Sequence, residues 1–145
     1  MMWNKIIYAL FTFLLFIAPL QAERVFFDDG TAYSSSLSKD DILARFEQHS
    51  EKGPVIVFHD LICLSCQDAM NYLREFEQAY PDIPIVYYDL HGNTTNKLLF
   101  EEYMAHYHQK NLLAPTAFIG PVGIEGNQSI RLLFEPFTLL YMNNE

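Results

Sequence analysis

The segment Val55-Ile56-Val57-Phe58-His59-Asp60-Leu61-Ile62-Cys63-Leu64-Ser65-Cys66 passes from a β-branched apolar run into two cysteines separated by two residues. Val55 to Phe58 has the length and composition of a central strand buried on both faces. From Cys63 onward the period changes. Cys66, Ala69, Met70, Leu73 and Phe76 recur at helical spacing until Pro81 ends the pattern. Cys63 therefore stands where a strand gives way to a helix. Unpaired backbone N–H groups and the helix dipole favour negative charge there, and a thiolate is the nucleophile of disulfide exchange. Cys66, one turn further, is within reach of a mixed disulfide formed on Cys63. This reading makes Cys63 the attacking thiol and Cys66 the resolving one.

Towards the N-terminus, Arg24 to Phe27 is strand-like, and Asp28-Asp29-Gly30 opens a polar loop that runs through Ser36. Ser38-x-x-Asp41 is a capping-box variant, and Leu37 with Ile42 has the spacing of a hydrophobic staple. A helix is expected from Ser38, burying Ile42, Leu43 and Phe46 and stopped by Gly53-Pro54. Towards the C-terminus, Ile83 to Leu90 contains the buried-strand run Ile85-Val86-Tyr87-Tyr88. Gly92-Asn93-Thr94 opens a second helical stretch with Leu99, Phe100, Tyr103, Met104 and Tyr107 on its core face. After Leu112-Leu113-Ala114-Pro115, the runs Thr116 to Ile119 and Ile130 to Phe134 read as a hairpin, with a long turn between Gly120 and Ser129. A short final helix is expected from about Pro136. The order predicts an α/β protein with a mixed sheet covered by helices on both faces.

The chain has 145 residues, half of them hydrophobic, which suits one domain with one core. Its start, Met1-Met2-Trp3-Asn4-Lys5, is followed by a mostly apolar run from Ile6 to Ala18 and then Pro19-Leu20-Gln21-Ala22. That is the layout of a secretory signal, and the run is shorter than the roughly 20 residues that span a bilayer. Residues 1–22 are expected to be removed, leaving 23–36 as an N-terminal strand and loop and 37–145 as the main domain. The predicted location is periplasmic or secreted, with no membrane association beyond the signal. In such a compartment Cys63 and Cys66, the chain's two cysteines, are expected to form a disulfide. It would close a very short loop and so constrain the unfolded chain little. The net charge of −9 argues against nucleic acid as a partner.

A strand at Val55 to Phe58, a C-x-x-C opening a helix, and Ala114-Pro115-Thr116 before the next strand together resemble the thioredoxin superfamily, over roughly residues 37–140. The resemblance implies a thioredoxin-like fold and a thiol-disulfide oxidoreductase acting on protein clients and served by a redox partner. It implies a cis Pro115 packed against the cysteines, Ala114 offering backbone to an extended client, and Thr116 shaping the same groove. Some positions depart from the family. Leu64-Ser65 is neither the Gly-Pro of reducing thioredoxins nor the Pro-His or Gly-His of oxidases and isomerases. Ile62 stands where thioredoxins carry Trp, and Val57 where many carry a buried Asp that moves protons. His59 and Asp60 are the candidates to substitute, and strand alternation allows at most one of them to face Cys66. Ser65 either hydrogen-bonds the thiolate or simply suits a first helical turn. His91, His106 and His108 read as surface or loop residues.

Gln67 after Cys66, where c-type haem attachment needs His, and the lack of a second cysteine pair to complete a structural zinc site disfavour both. No metal or other cofactor is expected. Two other functions fit the same residues: a non-enzymatic binding module with a structural disulfide, and a copper or zinc carrier built from Cys63, Cys66 and one histidine. The absence of a histidine between the cysteines leans the exchange reading towards reduction or isomerisation.

Overall fold

The computed structural model describes residues 23–33, 37–49 and 52–143. The expected signal segment, residues 1–22, lies outside the described residues. Among the described residues, five strands and four helices follow in the order β1 (Arg24–Phe27), α1 (Lys39–Glu47), β2 (Val55–His59), α2 (Leu64–Ala79), β3 (Ile85–Asp89), α3 (Thr94–His106), β4 (Thr116–Ile119), β5 (Val122–Glu125) and α4 (Asn127–Met142). The strands form one mixed sheet in the order β1-β5-β4-β2-β3. Only the β2–β3 pair is parallel; β2–β4, β4–β5 and β1–β5 are antiparallel.

Local chemistry sets the helix starts. The Ser38 hydroxyl accepts from the Asp41 N–H at 3.1 Å, and the Asp41 carboxylate accepts from the Ser38 N–H at 2.9 Å, the expected reciprocal cap. α3 begins at Asn93, whose side chain accepts from the Asn96 N–H. α4 has no side-chain cap from its own Gly126. The Glu23 carboxylate substitutes from across the molecule, accepting from Gln128 N–H at 3.1 Å and Ser129 N–H at 2.8 Å. A carboxylate there also meets the positive end of the helix dipole.

Strand alternation divides the core in two. Phe27, Val55, Val57, Ala117 and Ile124 face one side, against α1, α2 and α4. Phe26, Ile56, Phe58 and Phe118 face the other, against Phe100 in the middle of α3 and Tyr107 at its C-cap. Helices thus cover both faces. Phe58 is ringed by Tyr88, Phe100, Tyr103 and Phe118 at centroid distances of 4.7–5.9 Å. Gly123 is required by this packing: a Cβ there would lie 2.1 Å from the Phe26 ring, its cross-strand partner.

The structure corrects the C-terminal third. The hairpin joins Thr116–Ile119 to Val122–Glu125 through Gly120-Pro121, not to Ile130–Phe134. Ile130 to Phe134 is helical and belongs to α4, which starts nine residues before Pro136. Ile130, Phe134, Phe137 and Tyr141 form its buried stripe. Pro136 sits in the helix interior, where its missing N–H removes the bond to the Leu132 carbonyl, and Leu132 is exposed. β3 also differs from expectation: it is the sheet edge, with all five residues half-buried. Among the described residues no helix is long and apolar enough to cross a membrane.

Candidate functional site

Cys63 is the N-cap of α2, in extended backbone (φ −83°, ψ 120°), directly after the turn that follows β2. Its Sγ accepts from the Cys66 N–H at 3.2 Å and lies 3.0 Å from the Ser65 hydroxyl. Cys63 is partly exposed, whereas Cys66 is buried. Both are free thiols, the reduced form of the pair, where the sequence predicts a disulfide.

The two thiols are driven in opposite directions. Burial alone would raise Cys63. Hydrogen bonds from the Cys66 thiol, the Ser65 hydroxyl and the Cys66 and Ser65 backbone outweigh it, and the thiol falls below its ordinary range. Burial pushes Cys66 up to about 12, reinforced by its hydrogen bond to Cys63. The negative charges of Cys63 and Asp60 add to that rise, while a hydrogen bond from the Asp60 backbone opposes it. One partly exposed thiol that ionises readily therefore stands beside a buried one that holds its proton. Of the two sequence-level readings of Ser65, the hydrogen bond to sulfur is the one present.

The loop before β4 comes against this pair. The Ala114–Pro115 peptide is cis, and the Ala114 carbonyl lies 3.9 Å from Cys63 Sγ. Pro115 and Thr116 are buried, and the Thr116 hydroxyl donates to the Leu113 carbonyl at 2.7 Å. Thr116 thus braces the loop from beneath.

Asp60 and His59 separate as strand alternation requires. Asp60 acts on Cys66 through charge and backbone. Its carboxylate accepts from the Ile62 N–H at 3.0 Å and lies 3.5 Å from His91 Nδ1. His59 is buried against the Tyr87 ring, and burial lowers its pKa against the pull of Asp89 and Asp60. Among the described residues it makes no hydrogen bond to either cysteine. His91, His106 and His108 are exposed, as the sequence predicts.

The chain matches no family model, no curated protein and no solved structure. The site is read from its own geometry. Sequence reasoning missed its surroundings: Leu61, Ile62 and Leu64 beside the cysteines, and Leu113 on the facing loop, are all 59–78 % exposed. The signal was the apolar run around the motif, which periodicity assigns equally well to a core. A cavity of about 460 Å³ lies at the opposite end of the sheet, among Asp28, His49, Gly120 and Tyr141. Exchange with a protein disulfide takes place on a surface and needs no cavity, so the cysteine site stands on its chemistry. Among the described residues no group of three or more His, Cys, Asp or Glu side chains is arranged to hold a metal ion.

Proposed function

We propose that this chain is an exported thiol-disulfide oxidoreductase of thioredoxin-like fold, periplasmic or secreted, acting on protein clients through Cys63 and Cys66. The observation that carries the reading is the opposed pair of thiols at the N-terminus of α2, one partly exposed and hydrogen-bonded so as to ionise readily, the other buried so as to hold its proton. The cis Ala114–Pro115 peptide beside Cys63, and a C-x-x-C helix following a central strand, support the family resemblance.

In the forward direction the Cys63 thiolate attacks one sulfur of a client disulfide. The client S–S bond breaks, a Cys63–client disulfide forms, and the other client sulfur leaves as a thiolate that takes a proton from water. Once Cys63 is in that bond it has no negative charge and no longer hydrogen-bonds the Cys66 thiol, so two of the influences that hold Cys66 protonated disappear. Cys66 then loses its proton, attacks the Cys63 sulfur and releases the second client thiol. The chain is left with a Cys63–Cys66 disulfide, having passed two electrons to the client. A thiol redox partner returns them by the reverse sequence.

Cys66→Ser tests this. With the resolving thiol removed, the mixed disulfide on Cys63 persists and is recovered on non-reducing gels as covalent complexes with disulfide-bearing proteins. The Cys63→Ser protein forms none. Equal trapping by both variants, or by neither, contradicts the reading.

A further inference from the structure

We propose that the buried carboxylate of Glu125 is a positioning residue for the cysteine site, holding the strip of backbone at residues 113–115 where a client segment lies beside Cys63. The inference rests on the exchange reading. Glu125 is the last residue of β5 and is fully buried. A carboxylate in that position is costly unless each oxygen is matched, and both are. Oε2 meets Arg24 Nε at 2.5 Å, and Oε1 accepts from the Leu113 N–H at 2.5 Å. The Arg24 guanidinium also donates to the Asn111 carbonyl at 3.2 Å. The pair thus grips the loop at residues 111 and 113.

Two further bonds fix the segment on either side of the cis peptide. The Gly126 N–H, next in sequence to Glu125, donates to the Pro115 carbonyl at 2.9 Å. Thr116, which pairs with Glu125 across β4 and β5, donates through its hydroxyl to the Leu113 carbonyl. Between these anchors stands Ala114, whose carbonyl faces Cys63 Sγ. Glu125 touches neither cysteine. It acts through Leu113, and its effect falls on molecules long enough to lie along the loop.

The test uses single-turnover reaction of the reduced protein with two disulfides. The small 5,5′-dithiobis(2-nitrobenzoate) reaches Cys63 without the loop; a glutathionylated ten-residue peptide must lie along it. In Glu125→Leu the peptide rate is expected to fall roughly ten-fold, the scale of a modest misplacement of a reacting partner, with the small reagent nearly unchanged. Glu125→Gln, whose amide oxygen still accepts from Leu113, is expected to restore most of the peptide rate. Equal changes in both rates, or none, overturn the proposal, leaving Glu125 a structural ion-pair partner. The wild-type protein gives an independent check by hydrogen exchange: the Leu113 amide is expected to be protected, and exchange at the rate of an open loop overturns the proposal without any variant. Failure of the wild type to turn over client disulfides would count against the exchange reading, whereas the ratio of the two rates reports on the loop alone.

Discussion

The Cys66 backbone N–H points at the Cys63 sulfur from 3.2 Å, so the amide of the buried cysteine stabilises the thiolate of the exposed one. The helix N-terminus supplies this bond because its first N–H groups have no partners within the helix. One turn of helix places this donor, which adds to the Cys66 thiol and Ser65 hydroxyl in lowering Cys63, while burial raises Cys66.

That difference predicts selective alkylation. Iodoacetamide at pH 7 should modify Cys63 in the reduced protein and leave Cys66 untouched, as read by peptide mass spectrometry. The pH–rate profile for Cys63 should rise below the ordinary thiol range, near 8.5. While Cys63 is still free, Cys66 should stay unmodified, because burial and the neighbouring Cys63 hold its pKa up to about 12.

Ser65 offers a sharper test of cause. Ser65→Ala removes the hydroxyl 3.0 Å from Cys63 Sγ and should raise the Cys63 pKa. The net worth of a typical hydrogen bond, about 0.5–1.5 kcal/mol, is roughly two- to ten-fold in the thiolate population, so alkylation at pH 7 should slow by that factor. An unchanged profile would mean that the Cys66 thiol and the backbone donors set the thiol without Ser65.

Features encoded within one turn of chain were legible before the structure. The Ser38–Asp41 cap and the position of Cys63 at a helix start each depend on neighbours three residues apart. Where two periods fit the same residues, the reading failed. Ile130 to Phe134 is apolar enough for a strand, and only the longer stripe through Phe137 and Tyr141 marks it as helix. Val122-Gly123-Ile124-Glu125 was hidden by its glycine and its charge, both of which are explained by distant partners: Phe26 for the glycine, Arg24 and Leu113 for the glutamate. The exposed leucines and isoleucine around Cys63 were hidden for a different reason, since sequence does not say which apolar side chains stay in water.

The reduced protein should lose stability in alkali. Cys66 has a folded pKa of about 12, above the unfolded value near 8.5. Its contribution is therefore complete below pH 8.5 and declines as pH rises from there towards 12. Cys63 shifts the other way, so its contribution persists over that window and is lost only at lower pH. Buried Tyr107 and half-buried Tyr87, whose pKa values are raised by burial, add to the alkaline loss in both redox states. Denaturant midpoints of reduced and oxidised protein, compared from pH 8 to 11, should therefore diverge further than a common tyrosine effect allows.

Glu23 should matter more than a residue outside the helices and strands ordinarily does. Glu23→Ala leaves the Gln128 and Ser129 N–H groups without their acceptor. The cost expected of a lost helix cap is about 1 kcal/mol, or a Tm lower by roughly 3–6 °C. Calorimetry of the two proteins checks this, and equal Tm values would show that water caps α4 equally well.

The reduction potential of Cys63–Cys66, measured by equilibrating the protein with glutathione buffers, tests the exchange reading most directly. A Cys63 thiolate stabilised at a helix N-terminus predicts a potential between about −270 and −120 mV, the span of pairs that exchange with other proteins. A value near the lower end would favour reduction, and one near the upper end disulfide donation. A pair that resists reduction below about −300 mV would be a structural disulfide, and that result would contradict thiol-disulfide exchange as the role of Cys63 and Cys66.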